Sequence, residues 1–77
     1  MILTDSSFAH NLKKLRKASQ LTQAEVIARM QVMGSSLERS ALANIEAGRR
    51  NIKVSDLRCL KEIYGIDYDA LFNYDEE

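Results

Sequence analysis

Two segments carry residue types that could do chemistry. Leu21-Thr22-Gln23-Ala24-Glu25 places a carboxamide beside a helix-start signal, and Asn44-Ile45-Glu46-Ala47-Gly48-Arg49-Arg50 runs from a helix end into a basic loop that reaches Lys53. The chemistry open to such residues is non-covalent. Guanidinium, ammonium and carboxamide groups donate hydrogen bonds to anions and to planar acceptor edges. Catalytic chemistry lacks its parts. His10 is the only His and Cys59 the only Cys, so no zinc site can be built and no nucleophile has a partner arrangement. Adjacent acids occur only at Asp75-Glu76-Glu77 and read as a solvating tail. We expect no enzyme, no cofactor, no metal and no small-molecule ligand.

Helices must position these groups. Asp5 or Ser6 can cap a first helix to about Ala18, with Phe8, Leu12 and Leu15 as its buried stripe at i, i+4 and i+7. Thr22-x-x-Glu25 is a capping box. It opens a second helix with Val26, Met30 and Met33 inward and Gly34 as its terminator. Ser35-x-x-Glu38 repeats the box pattern and places a third helix over about Leu37–Ala47, with Leu42 and Ile45 inward and Gly48 closing it. Ser55 caps a fourth helix carrying Leu57, Leu60, Ile63 and Tyr64, stopped by Gly65. Asp67 caps a short fifth helix over Ala70, Leu71 and Phe72. His10 reads as a surface residue of the first helix, and Cys59 as a small residue at the edge of the fourth helix's packing face.

The chain has 77 residues, no Pro and 3 Gly. That suits one all-α domain over residues 1–77, with its core over about 6–72 and an acidic tail at 73–77. A core of this size needs well-packed helices. No apolar run is long enough to span a bilayer, no signal peptide is expected, and a lone Cys fits a reducing compartment. Net charge is zero, but it is unevenly spread. All 11 Lys and Arg lie between Lys13 and Lys61, and the only acids before Glu62 are Asp5, Glu25, Glu38, Glu46 and Asp56. Residues 1–61 therefore carry +6 and residues 62–77 carry −6. A polyanion responds to the local field and not to the sum.

Leu15-Arg16, Leu21-Thr22-Gln23, Ile45-Glu46-x-Gly48-Arg49-Arg50 and the run from Tyr64 to Phe72, in this order and spacing, resemble the Xre/phage-repressor type of helix-turn-helix regulator. The likeness runs from about Leu12 to Phe72. It implies a five-helix fold whose third helix enters the DNA major groove and reads bases with its N-terminal residues. By the family pattern the readers are Arg39, Ser40 and Asn44. Arg pairs with guanine and Asn with adenine, each worth about 1–3 kcal/mol of discrimination. The likeness also assigns Gln23 to a phosphate, in keeping with the positive end of a helix dipole. It makes Arg16 and Glu46 an internal ion pair and not part of the DNA surface. Arg49, Arg50 and Lys53, with Asn51 beside them, are suited to phosphates, which supply affinity and register without sequence choice.

Two departures stand out. Gln23 and Glu46 are 23 positions apart, longer than in the family's compact form. The added residues fall around Gln31 to Ser36, so the second helix is expected to run one turn further, to about Met33. Glu38 stands where the family has a small cap, beside the readers. Its carboxylate can accept from cytosine N4, repel phosphate or favour the helix dipole. The expected function is sequence-specific binding of double-stranded DNA by a homodimeric transcriptional repressor in a bacterial or phage cytoplasm, associated with the nucleoid. Tyr68, Phe72 and Tyr74 are the expected dimer surface. The rival reading keeps the fold but binds a protein partner, another regulator or a toxin.

Overall fold

The computed structural model describes residues 6–72, and these residues form helices joined by short turns: α1 (Ser6–Ala18), α2 (Gln23–Val32), α3 (Arg39–Glu46), α4 (Val54–Tyr64) and α5 (Tyr68–Phe72). Among the described residues there is no strand. The all-α, five-helix expectation holds. Asp5 and Tyr74 lie outside the described residues.

One core is shared by all five helices. α1 buries Phe8 and Leu12, α2 buries Val26, Ile27 and Met30, α3 buries Ala41, Leu42 and Ile45, α4 buries Leu57, Leu60 and Tyr64, and α5 adds Leu71. Each of these larger apolar side chains is worth about 1.5–3 kcal/mol when removed from water. Two further core residues, Leu37 and Ile52, come from the turns on either side of α3. They fix where the non-helical segments run.

α2 and α4 start differently from one another. Thr22 Oγ1 accepts from the Glu25 amide at 3.1 Å, and Glu25 Oε1 accepts from the Thr22 amide at 2.8 Å. The expected capping box is therefore complete. α4, in contrast, starts two residues earlier than expected. Its N-cap is Lys53, not Ser55, and no side chain caps it.

The entry to α3 also departs from expectation. The second box does not form: α3 begins at Arg39, with Glu38 as an N-cap whose side chain makes no capping bond. Ser35 has a different use. Its hydroxyl donates to Asp56 Oδ1 at 2.8 Å and accepts from the Leu37 amide at 3.1 Å. The Ser35 hydroxyl is taken by a buried carboxylate on α4 in place of a local cap, and no helix begins before Arg39.

Met33 is a third departure. It is the C-cap of α2 and points outward, while Ile27 fills the inner face instead. Phe72, one of the expected dimer-surface residues, is half-buried and packs against the core. Its ring stacks on Phe8 with centroids 5.5 Å apart. Asn11, buried on α1, donates to the carbonyls of Ala70 at 3.0 Å and Leu71 at 2.9 Å. It satisfies two groups at the end of α5 that helix geometry leaves open.

Candidate nucleic-acid interface

α3 has one buried face and one bare face. Ala41, Leu42 and Ile45 hold it to the core, and Arg39, Ser40 and Asn44 are exposed on the other side. Arg39 and Ser40 make its first turn, with Asn44 one turn after Ser40. Because Glu38 leaves the N-terminus without a side-chain cap, the first amides of α3 keep their donors and the positive dipole end is open.

The exit from α3 is built by backbone. Gly48 takes φ 77°, a left-handed conformation that an L side chain resists. It donates to the Ile45 carbonyl at 3.1 Å, while the Arg49 amide donates to the Asn44 carbonyl at 2.9 Å. This pair of bonds is a Schellman closure. It ties the backbone of a predicted base reader to that of a predicted phosphate contact. Ile52 then plugs into the core and leaves Arg49, Arg50, Asn51 and Lys53 exposed around it. Arg50 and Lys53 face Ser40 and Glu38 across an open groove between α3 and the loop, with buried Asp56 in its lining. Among the described residues none of Arg39, Arg49, Arg50 and Lys53 forms an ion pair.

The third part is a buried junction. Arg16 Nε donates to Glu46 Oε2 at 2.8 Å and a terminal nitrogen of the same guanidinium donates to Glu46 Oε1 at 3.1 Å. A further nitrogen donates to the Leu21 carbonyl at 2.8 Å. Gln23 joins them, its amide donating to Glu46 Oε1 at 3.1 Å. The end of α1, the start of α2 and the end of α3 are thus joined through one carboxylate. The bond to Glu46 holds the Arg16 guanidinium above its ordinary range against the opposing effect of burial. Tyr64 lies beside this junction. Its hydroxyl is the one buried side-chain polar atom, among the described residues, without a hydrogen-bond partner, and burial pushes its phenol far above the ordinary range.

The structure therefore divides the sequence-predicted residues into an exposed set and a buried set. Arg39, Ser40, Asn44, Arg49, Arg50, Asn51 and Lys53 lie on the surface around α3 and its exit. Arg16 and Glu46 are interior, and half-buried Gln23 bridges to them. Sequence reasoning missed Asp56, Ile52 and Asn11. Asp56 looks like an ordinary first-turn acid, Ile52 is a lone apolar residue in a basic loop, and Asn11 is polar on a buried face. None of the three has a periodic signal. Among the described residues no three His, Cys, Asp or Glu side chains are grouped to hold a metal, and no helix is long and apolar enough to cross a membrane.

Comparison with known proteins agrees with this geometry. The helix-turn-helix domain family matches the chain over residues 7–72, from α1 through α5. Searches of curated proteins and of solved structures gave no significant match. With so much of its length covered, the chain belongs to the helix-turn-helix domain family, which is typical of Xre-like regulators and suggests a DNA-binding regulator.

Proposed function

We propose that this chain is a sequence-specific, double-stranded-DNA-binding transcriptional repressor that works as a homodimer, with α3 in the major groove. The observation that carries the reading is the bare face of α3 beside unpaired cations. Arg39, Ser40 and Asn44 are exposed on it, and Arg49, Arg50 and Lys53 have no counter-charge of their own among the described residues. A surface that leaves so many cations unmatched suits a polyanion.

In this reading Arg39 and Asn44 read base edges, and Ser40 reads a base or a phosphate. Arg49, Arg50, Asn51 and Lys53 hold the backbone on one side of the reading helix. Gln23 reaches a phosphate from the start of α2. Its oxygen and second amide hydrogen remain available while the bond to Glu46 aims the side chain. Two copies would place two α3 helices in successive major grooves about one helical turn apart, which calls for a two-fold operator. The proposed setting is a bacterial or phage cytoplasm.

The test is selection of random duplex DNA at about 150 mM salt, with wild type and Arg39→Ala/Asn44→Ala side by side. The expected result is a palindromic motif that the variant loses. Binding should also fall about 10³–10⁵-fold between 50 and 200 mM salt if 6–10 phosphates are contacted. A folded wild type that enriches nothing would overturn the reading in favour of a protein-binding module, for which salt should hardly matter.

A further inference from the structure

We propose that the exposed apolar step where α2 ends against α4 is the surface through which two copies of this chain associate. Val32 is 89% exposed and Met33 is 39% exposed. They share a shallow depression with half-buried Ile63, and Arg29 and Glu62 complete its lining. This inference extends the two-fold reading above by naming the surface. It does not depend on what α3 binds.

Ile63 packs against the core and Met33 is partly covered, but Val32 at 89% exposed finds no packing in the monomer. The inner face of α2 is filled by Val26, Ile27 and Met30. Val32 is β-branched at the end of a helix, where it gains no packing and loses rotamer freedom. Single exposed apolar residues are ordinary; here two adjacent ones, Val32 and Met33, share one depression with Ile63. The expected alternative at the C-terminal end is weaker. Phe72 is stacked on Phe8, and Tyr68, although 43% exposed, already has Lys61 Nζ over its ring at 5.2 Å.

Charge complementarity favours a second copy as the occupant. The rim carries one cation from α2 and one anion from α4, and neither has an ion pair among the described residues. A two-fold axis through the patch brings Arg29 against the partner's Glu62, and Glu62 against the partner's Arg29. A uniformly acidic or basic partner would set a like charge against one of them. The patch takes no residue from α3. It lies about 14 Å along α2 from Gln23 at 1.5 Å per residue, so pairing there leaves the start of α2 free.

The experiment is sedimentation velocity of the full chain from low to high micromolar concentration, without DNA. Wild type is compared with Val32→Glu/Met33→Glu, Arg29→Glu, Glu62→Arg and the exchange Arg29→Glu/Glu62→Arg. We expect a wild-type dimer and a monomeric apolar variant. Each single reversal should weaken the dimer by roughly tenfold or more, because like charges then meet twice across the axis. The exchange should restore it. A wild type that stays monomeric, a dimer that survives Val32→Glu/Met33→Glu, or an exchange that fails to rescue would each overturn the proposal. If the apolar variant fails to fold by circular dichroism, the charge exchange alone decides. DNA selection gives a separate answer: a monomeric variant that still enriches half-sites leaves the DNA reading standing, whatever becomes of this surface.

Discussion

Replacing Glu46 by Ala should come close to unfolding the domain. The carboxylate receives two bonds from Arg16 and one from Gln23. The ion-paired side chains are only 9% and 2% exposed. Truncation removes the counter-charge and leaves Arg16 with its single bond to the Leu21 carbonyl. A buried charge stripped of its partner costs about 3–5 kcal/mol. Natural domains hold about 5–15 kcal/mol in all, and a small domain sits toward the lower end. For this chain length each kcal/mol moves the melting midpoint by about 4–8 °C, so Glu46→Ala should lower it by at least about 12 °C. The assay is a thermal melt followed by far-ultraviolet circular dichroism. Arg16→Met/Glu46→Leu is the control: with both charges gone, most of the stability should return. A Glu46→Ala midpoint within about 2 °C of wild type would refute the reasoning and show that the pair is better hydrated than its burial implies.

Three other outcomes are expected. Tyr64→Phe removes a buried hydroxyl without a partner and should be neutral or stabilising by up to about 1 kcal/mol. The raised phenol pKa also sets a sign. The folded state keeps a proton that the unfolded chain gives up near pH 10, so this stabilisation is complete below about pH 10 and is lost as pH rises beyond it. Urea unfolding of wild type should weaken on that alkaline limb more than Tyr64→Phe does, and parallel curves would contradict the assignment. Glu25 behaves in the opposite sense: the backbone bond from Thr22 holds its carboxyl below the ordinary range. Its contribution is present above that range and fades as pH falls through the folded value. Glu25→Gln should therefore flatten the acid side of melts taken between about pH 3 and 7. Glu38→Gln, at an N-cap with no bond of its own, should tighten DNA binding a few-fold, roughly, at low salt by removing a charge near phosphate. The enriched motif should stay the same, and a change at one position would make Glu38 a base reader.

The readable parts of this chain were those with short-range causes. Thr22 and Glu25 form their box because both partners lie within one turn. Gly34, Gly48 and Gly65 close helices because left-handed backbone favours the residue without a side chain. The third helix's inner residues Leu42 and Ile45 followed from period, and its outer residues from what remained. Two of the failures are long-range, and one lies at a helix end. Ser35-x-x-Glu38 matches the pattern of Thr22-x-x-Glu25, yet Ser35 is claimed by Asp56, 21 positions away. Met33 continues the spacing of Val26 and Met30, but α2 ends before its side chain can turn inward. Phe72 looked surplus until Phe8, from the far end of the chain, was seen to need it. In the candidate site, exposure of the reader residues followed from amphipathicity. The bond from Gln23 to Glu46 joins residues 23 positions apart, and no local pattern encodes it.

The clasp between α1 and α5 bears on how this domain is made. Phe8 and Asn11 find their partners in Ala70, Leu71 and Phe72, at separations of 59 and 60 positions for the two Asn11 bonds. A chain emerging at about 5–20 residues per second therefore spends several seconds with the apolar stripe of its first helix incompletely covered. Closure of such a distant contact comes late, after the loop entropy of nearly the whole domain has been overcome. Synthesis can proceed through α3 and its basic loop while the first helix still lacks its last cover. A block at α5 would thus release a chain that contains every residue proposed to face DNA but lacks the clasp over α1.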